Sequence, residues 1–254
     1  MKVLITGDWQ VPYQDERAFS AMAKYARAWD PDLLILNGDI LDFTTLTTKF
    51  VRSRTSRSDL VADVRVFHGL LRRLSRRDVV YLPGNHEQRL ENLVMERADA
   101  LAPLLDHELS LANVLQAEQH KMRVVGSWKR GTAVWQRQGL VVTHGHVDSP
   151  ATAPQAMWKQ YGSVVYGHLH RELQWSLTNF MGSHKTQCLG CMCNIRGEMT
   201  PPSAKETELK DWTQGFGVVY FDSRGYTVLP VMIPEGGSFI GPDGIASAAR
   251  VIDR

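Results

Sequence analysis

Carboxylates, an amide and imidazoles recur along this 254-residue chain in short polar runs, each placed just after an apolar stretch. The runs are Asp8 with Gln10, Gly38-Asp39 with Asp42, Gly84-Asn85-His86-Glu87, His144-Gly145-His146, and Gly167-His168-Leu169-His170. Taken singly, Gly-Asp is an ordinary turn, Asn-His an ordinary loop, and a histidine at a strand end an ordinary hydrogen-bonding group. Together they mean more. Gathered at one edge of a sheet, such groups are costly to desolvate unless cations neutralise them. A mixed oxygen and imidazole set suits manganese, iron, zinc, cobalt or nickel better than calcium.

The elements that would position these runs follow from hydrophobic periodicity. Lys2 to Thr6 reads as a buried strand, Glu16 to Trp29 as an amphipathic helix, and Leu33 to Asn37 as a second buried strand after the breaker Asp30-Pro31. The alternation continues with a helix from Ser58 to Ser75, Ser58 acting as N-cap, and a strand from Val79 to Leu82. Helical stretches over Glu87 to Arg97, Leu101 to Leu105 and Leu109 to Leu115 form an insertion, about residues 87–116, that could cap the crevice. Strands are expected near Arg123 to Val125, at Val134-Trp135, over Leu140 to Thr143 and, after a helix from Pro154 to Tyr161, over Val164 to Tyr166. From Leu173 the texture is strand-like, with a hairpin formed by Gly217 to Phe221 and Tyr226 to Ile233. The segment from about residue 235, rich in Gly, Pro and Ala, reads as a surface tail. Every polar run therefore follows a strand, where an open α/β sheet places its ligand crevice.

In order and content, these runs resemble the motifs of the calcineurin-like metallophosphoesterases over Asp8 to His170. The resemblance implies an α/β fold: one domain over 1–254, built as a four-layer α/β/β/α sandwich with two mixed sheets flanked by helices, the C-terminal hairpins completing the second sheet. It implies two divalent metal ions, manganese first, with iron, zinc, nickel or cobalt as alternatives. Asp39 would bridge them. Asp8, Gln10 and His170 would complete one site, and Asn85, His144 and His168 the other. The ions would share a water, lower its pKa and hold it behind the phosphorus. His86 would protonate the leaving oxygen, with Asp42 either orienting it or serving as a turn residue. Gln10 stands where the family usually has histidine; an amide oxygen is a weaker and harder ligand, which implies looser binding at the first site.

The expected substrate is a phosphate ester, with a phosphodiester, including nucleic acid or a nucleotide, placed ahead of a phosphomonoester or phosphoprotein. A non-catalytic protein-binding scaffold on the same fold is the alternative from another class. Arg52 and Arg54, in a basic stretch leaving the Asp39 motif, would either reach substrate phosphates or form a solvated loop. Trp9 would stack a base or wall the site, and His146 would face the substrate or the solvent. A net charge of +2 is too mild to imply nucleic-acid binding by field alone. Hydrophobic residues at 43% and charged residues at 22%, without a membrane-length apolar run or a signal-peptide pattern, lead to the expectation of a cytoplasmic protein without a membrane partner. Cys188, Cys191 and Cys193 lack a fourth ligand at zinc-finger spacing other than His184, and read as small apolar residues beside a buried strand.

Overall fold

Asp15 starts the first helix: its carboxylate accepts hydrogen bonds from the Arg17 and Ala18 amides, both at 2.9 Å. At the other end Asp30 takes a left-handed conformation (φ 49°) ahead of Pro31, which stops the helix. This helix, α1 (Glu16–Trp29), joins strands β1 (Lys2–Thr6) and β2 (Leu33–Asn37). The computed structural model describes residues 1–46, 59–74, 78–180, 182–196, 199–202, 204 and 211–249.

The alternation continues through α2 (Leu60–Leu74), β3 (Asp78–Leu82), α3 (Gln88–Arg97), α4 (Leu111–Val114) and β4 (Met122–Val124), so that β1 to β4 run parallel. The expected N-cap Ser58 lies outside the described residues. The stretch expected to be helical around Leu101 is a 3-10 turn, Asp99–Asp106, because Pro103 lacks the N–H that an α-helix would use.

A second sheet is built from β5 (Val134–Arg137), β6 (Leu140–Thr143), β7 (Ser163–Tyr166), β8 (Leu173–Asn179) and β9 (Gly182–Cys188), in the order β5-β6-β7-β9-β8, with α5 (Ala153–Tyr161) between β6 and β7. One expectation is corrected by strand pairing. The hairpin of β10 (Gly215–Phe221) and β11 (Tyr226–Met232) does not join the second sheet; β10 pairs antiparallel with β1, Lys2 opposite Tyr220, and covers the edge of the first. The segment from about residue 235 carries short strands among its described residues. Within it β12 (Ser238–Ile240) and β13 (Ala246–Ala248) pair and lie on α1, where Ser247 Oγ donates to the Ala21 carbonyl at 2.7 Å.

Side-chain alternation explains the layers. Val3, Ile5, Leu33, Ile35, Val80 and Leu82 face Leu140, Val142 and Val165, fusing the two sheets, while Leu4, Leu34, Leu36 and Tyr81 face Phe19, Met22 and Phe67 of the helices. On the far side Val164 and Tyr166 meet Ala153 and Met157 of α5. The result is the expected α/β/β/α sandwich. Among the described residues no helix is long and apolar enough to cross a membrane.

Removing the α1 cap leaves two amides without their acceptor. Asp15→Ala is expected to lower stability by about 1 kcal/mol, read as an earlier urea midpoint with an unchanged slope.

Candidate metal centre

The loops that follow β1, β2, β3, β6 and β7 meet at one end of the two sheets. Backbone bonds hold them to one another: the Asp8 amide donates to Gly38 O and the Gln10 amide to Asp39 O, both at 2.9 Å, and the Gly167 amide donates to His144 O at 2.9 Å. Asp8 (φ 52°), Gln10 (50°), Asp39 (50°), His168 (72°) and His170 (56°) all take the left-handed conformation that side chains disfavour. Glycines provide clearance. A Cβ on Gly84 would lie 2.3 Å from Asp39 Oδ1, and one on Gly167 would lie 2.5 Å from Asp8 Oδ2.

All seven residues expected to be ligands are brought together. Asp39 Oδ2 lies 3.3 Å from His144 Nε2, and Asn85 Oδ1 lies 3.1 Å from the same nitrogen and 2.9 Å from His168 Nδ1. Asp8 Oδ1 lies 3.0 Å from His170 Nε2, and Gln10 Nε2 lies 3.1 Å from it. Two groupings, Asp39 with His144 and His168, and Asp8 with Asp39 and His170, each place their donor atoms within 4.8 Å of one another. Asp39 belongs to both.

The donor chemistry fits cations. Gln10 Oε1 and His170 Nδ1 are buried and have no hydrogen-bond partner among the described residues, and Asp8 Oδ1 faces only the ring nitrogen of His170 there. A half-turn of the Gln10 amide would exchange its nitrogen for the oxygen facing His170. His144 Nδ1 donates to the Asn37 carbonyl at 2.8 Å, which leaves Nε2 directed at two oxygens. Burial pushes the His144 pKa down, but the charges of Asp39 and Asp8 outweigh it and carry the group up to about 10. Burial and the proximity of His144 push His168 the other way.

His86 sits beside this cluster, Nε2 3.6 Å from Asp39 Oδ2 and Nδ1 3.3 Å from Asp42 Oδ2. Burial lowers its pKa, yet Asp39 and Asp42 raise it further than burial and the nearby Arg89 bring it down. Arg89 Nη2 lies 3.0 Å from His86 Nε2, and its Nη1 is paired with Asp42. Arg89 was not singled out in the sequence, although it stands one helical turn past His86.

Glu87 was likewise read only as a motif letter. Its carboxylate is 4% exposed and accepts from the Asp39 (2.9 Å), Ile40 (2.9 Å), Leu41 (3.2 Å) and Gly84 (2.7 Å) amides and from the Tyr81 hydroxyl (2.7 Å). Burial and the Asp39 charge raise its pKa, and the Tyr81 hydroxyl and the Gly84 amide bring it only part of the way back. Asp148, also missed, accepts from His168 Nε2 at 2.8 Å, turning Nδ1 toward Asn85.

Two expectations change. Trp9 is fully buried, its indole donating to Thr6 Oγ1 at 2.9 Å and packed edge-on against Phe19, so it presents no face to a substrate. His184 lies by Trp158, and it is His170 that joins Cys191 and Cys193. His146 is exposed, its ring 6.5 Å from that of Tyr161. Arg52 and Arg54 fall outside the described residues.

A sandwich of two mixed sheets with these loops at one end defines a class. The profile of the calcineurin-like phosphoesterases matches residues 1–176, and the chain belongs to that family. The gene 54 proteins of Mycobacterium phages D29 and L5 are each 24% identical to it, the alignments covering 96% of this chain and 97% of theirs. Among solved structures it is similar to a single mutant of Entamoeba histolytica Vps29 (12% identity, 93% of this chain and 95% of that one, TM-score 0.48) and to a dimetal phosphatase from Danio rerio (11%, 91% and 98%, TM-score 0.44).

Glu87→Gln would aim an amide NH2 at backbone donors. It is expected to cost roughly 2 kcal/mol of stability and to weaken metal binding about tenfold or more, checked by thermal unfolding of the metal-free protein and by titration calorimetry.

Proposed function

We propose that the chain is a dinuclear-metal phosphodiesterase. The observation that carries this reading is the convergence of Asp8, Gln10, Asn85, His144, His168 and His170 from separate strand ends around the doubly shared Asp39, with buried Gln10 Oε1 and His170 Nδ1 lacking a hydrogen-bond partner among the described residues. Family membership supports metal-dependent phosphoester hydrolysis as the chemistry. Two divalent ions, manganese first, would be held by those residues; when bound they supply an activated water and neutralise charge on the phosphate.

The chain's own groups supply the rest. His86, whose pKa Asp39 and Asp42 raise against burial, would donate a proton to the departing oxygen, and Arg89 fixes the Asp42 carboxylate that faces it. The diester is the first ester class to test; because Asp8, Asp39, Asp42 and Glu87 are all buried at the centre and Arg89 is already paired with Asp42, the positive charge that meets a phosphate there would come chiefly from the two ions. A cleft of about 390 Å³ between the insertion and the loop of Trp128 and Arg130, bordered by Glu87 and Gln88, gives the alcohol portion of the ester a place to lie. In this reading the insertion over 87–116 is the cap, and nucleotides or nucleic acid are the substrates to test first.

The test is to strip the protein with chelator, restore Mn, Co, Ni, Zn or Mg singly, and compare bis-p-nitrophenyl phosphate with p-nitrophenyl phosphate. Diester turnover should return with metal, vanish in Asp39→Ala, and fall by about 10²-fold or more in His86→Ala. Turnover of the monoester alone would replace the diesterase with a phosphomonoesterase. Metal binding without turnover of either would favour a protein-binding scaffold.

A further inference from the structure

The segment after β9 runs alongside the Asp8 loop. The Met192 amide donates to Asp8 O at 3.0 Å, the Asp15 amide donates to Met192 O at 2.8 Å, and bridges at Cys191 and Cys193 tie the segment to Gln214 and Gln14. Alternation along such a stretch puts neighbouring side chains on opposite sides. Met192 is buried in the helix-side core, which leaves Cys191 and Cys193 together on the other side. There they meet His170: two sulfurs and one ring nitrogen lie within 4.8 Å of one another, all in fully or nearly fully buried residues.

Neither thiol is part of a disulfide; the Cys191 sulfur contacts the Thr213 carbonyl at 3.5 Å, and the two thiols are hydrogen-bonded to each other. His170 is 5% exposed, and its Nδ1 has no hydrogen-bond partner among the described residues. If the cysteines only filled space, they would not need to meet an imidazole with a free nitrogen. A pair of thiolates with an imidazole is the donor set of a thiophilic ion such as zinc.

We propose that Cys191, Cys193 and His170 form a seat for a soft divalent cation, next to the oxygen-rich seat of Asp8 and Asp39 and sharing His170 with it. Loading the seat releases the two thiol protons to solvent. A neutral imidazole has one lone pair, so His170 serves one cation at a time. A soft ion therefore withdraws it from the dinuclear centre, and a hard ion keeps it there. Gln10 strengthens the competition, because a neutral amide leaves the hard seat more dependent on His170 than an imidazole at that position would.

The proposal rests on the dinuclear reading only through His170, and two measurements on the full, reduced chain separate them. Cadmium titration followed by ultraviolet absorption reports thiolate ligation directly. Manganese binding, followed by electron paramagnetic resonance, reports the oxygen-rich seats. Wild type is expected to show a cadmium–thiolate band that saturates at one equivalent and displaces part of the bound manganese. C188S should keep the band, and C191S/C193S should lose it while still binding manganese, which also shows that the variant folds. Manganese binding without any band in wild type, or a band that survives in C191S/C193S, would overturn the soft seat alone. A protein that takes up neither ion would overturn both readings.

Discussion

Two buried carboxylates hold each other's loops, and the site depends on that reciprocity. Glu87 accepts the amide of Asp39, while Asp39 Oδ1 accepts the amide of His86 at 2.8 Å. The loop after β2 and the loop after β3 are thus stitched in both directions. Like charges so close in a desolvated place repel strongly. Glu87 answers with four amides and a phenol. Asp39 has the His86 amide and otherwise faces the imidazoles of His144 and His86, whose positive charge it draws on. The same geometry that makes the loops rigid makes the centre cation-seeking.

Rigidity also offsets strain. Left-handed backbone costs on the order of 1 kcal/mol for each residue with a side chain, and five of the seven proposed ligands adopt it. Such conformations persist only when the surroundings over-determine them. Here the surroundings are the cross-loop bonds from Asp8 to Gly38 and from Gln10 to Asp39, and the contact of the Thr213 amide with His170 O at 2.8 Å. An unstrained loop would let each donor turn to water; these loops cannot, and the donors stay convergent.

Much of this was legible in the sequence, and what was not has a physical reason. Strands buried on both faces give unbroken apolar runs, so Leu33–Asn37 could be read directly, and the donors announced themselves as rare residue types at strand ends. Pairing partners are a different matter. Nothing local in Gly215–Phe221 states that β1 has an open edge waiting for it, and its hairpin was accordingly assigned to the wrong sheet. Glu87 was hidden because its partners are backbone amides, which every residue has. Asp148 was hidden because an exposed aspartate near a histidine has no sequence signature until the loop places it 2.8 Å from Nε2. Of the two places open to Trp9, stacking on a base is removed because the reversal of direction at each residue sends it inward.

That reversal is repeated. Trp9 separates Asp8 from Gln10, Leu169 separates His168 from His170, and Met192 separates Cys191 from Cys193, and in each case the middle residue is buried in an apolar cluster. The core therefore sets the spacing of the donors: an anchored apolar side chain fixes the backbone between two polar ones and directs both to the opposite side. Interiors are packed like solids, so a lost methylene at an anchor shifts its neighbours rather than leaving an inert hole. A shift of tenths of an ångström matters little to a hydrophobic contact but considerably to coordination. Loss of activity on altering Trp9 would thus report displaced ligands, not a lost stacking partner, and it should appear together with weakened metal binding while the Michaelis constant of the metal-loaded protein stays the same.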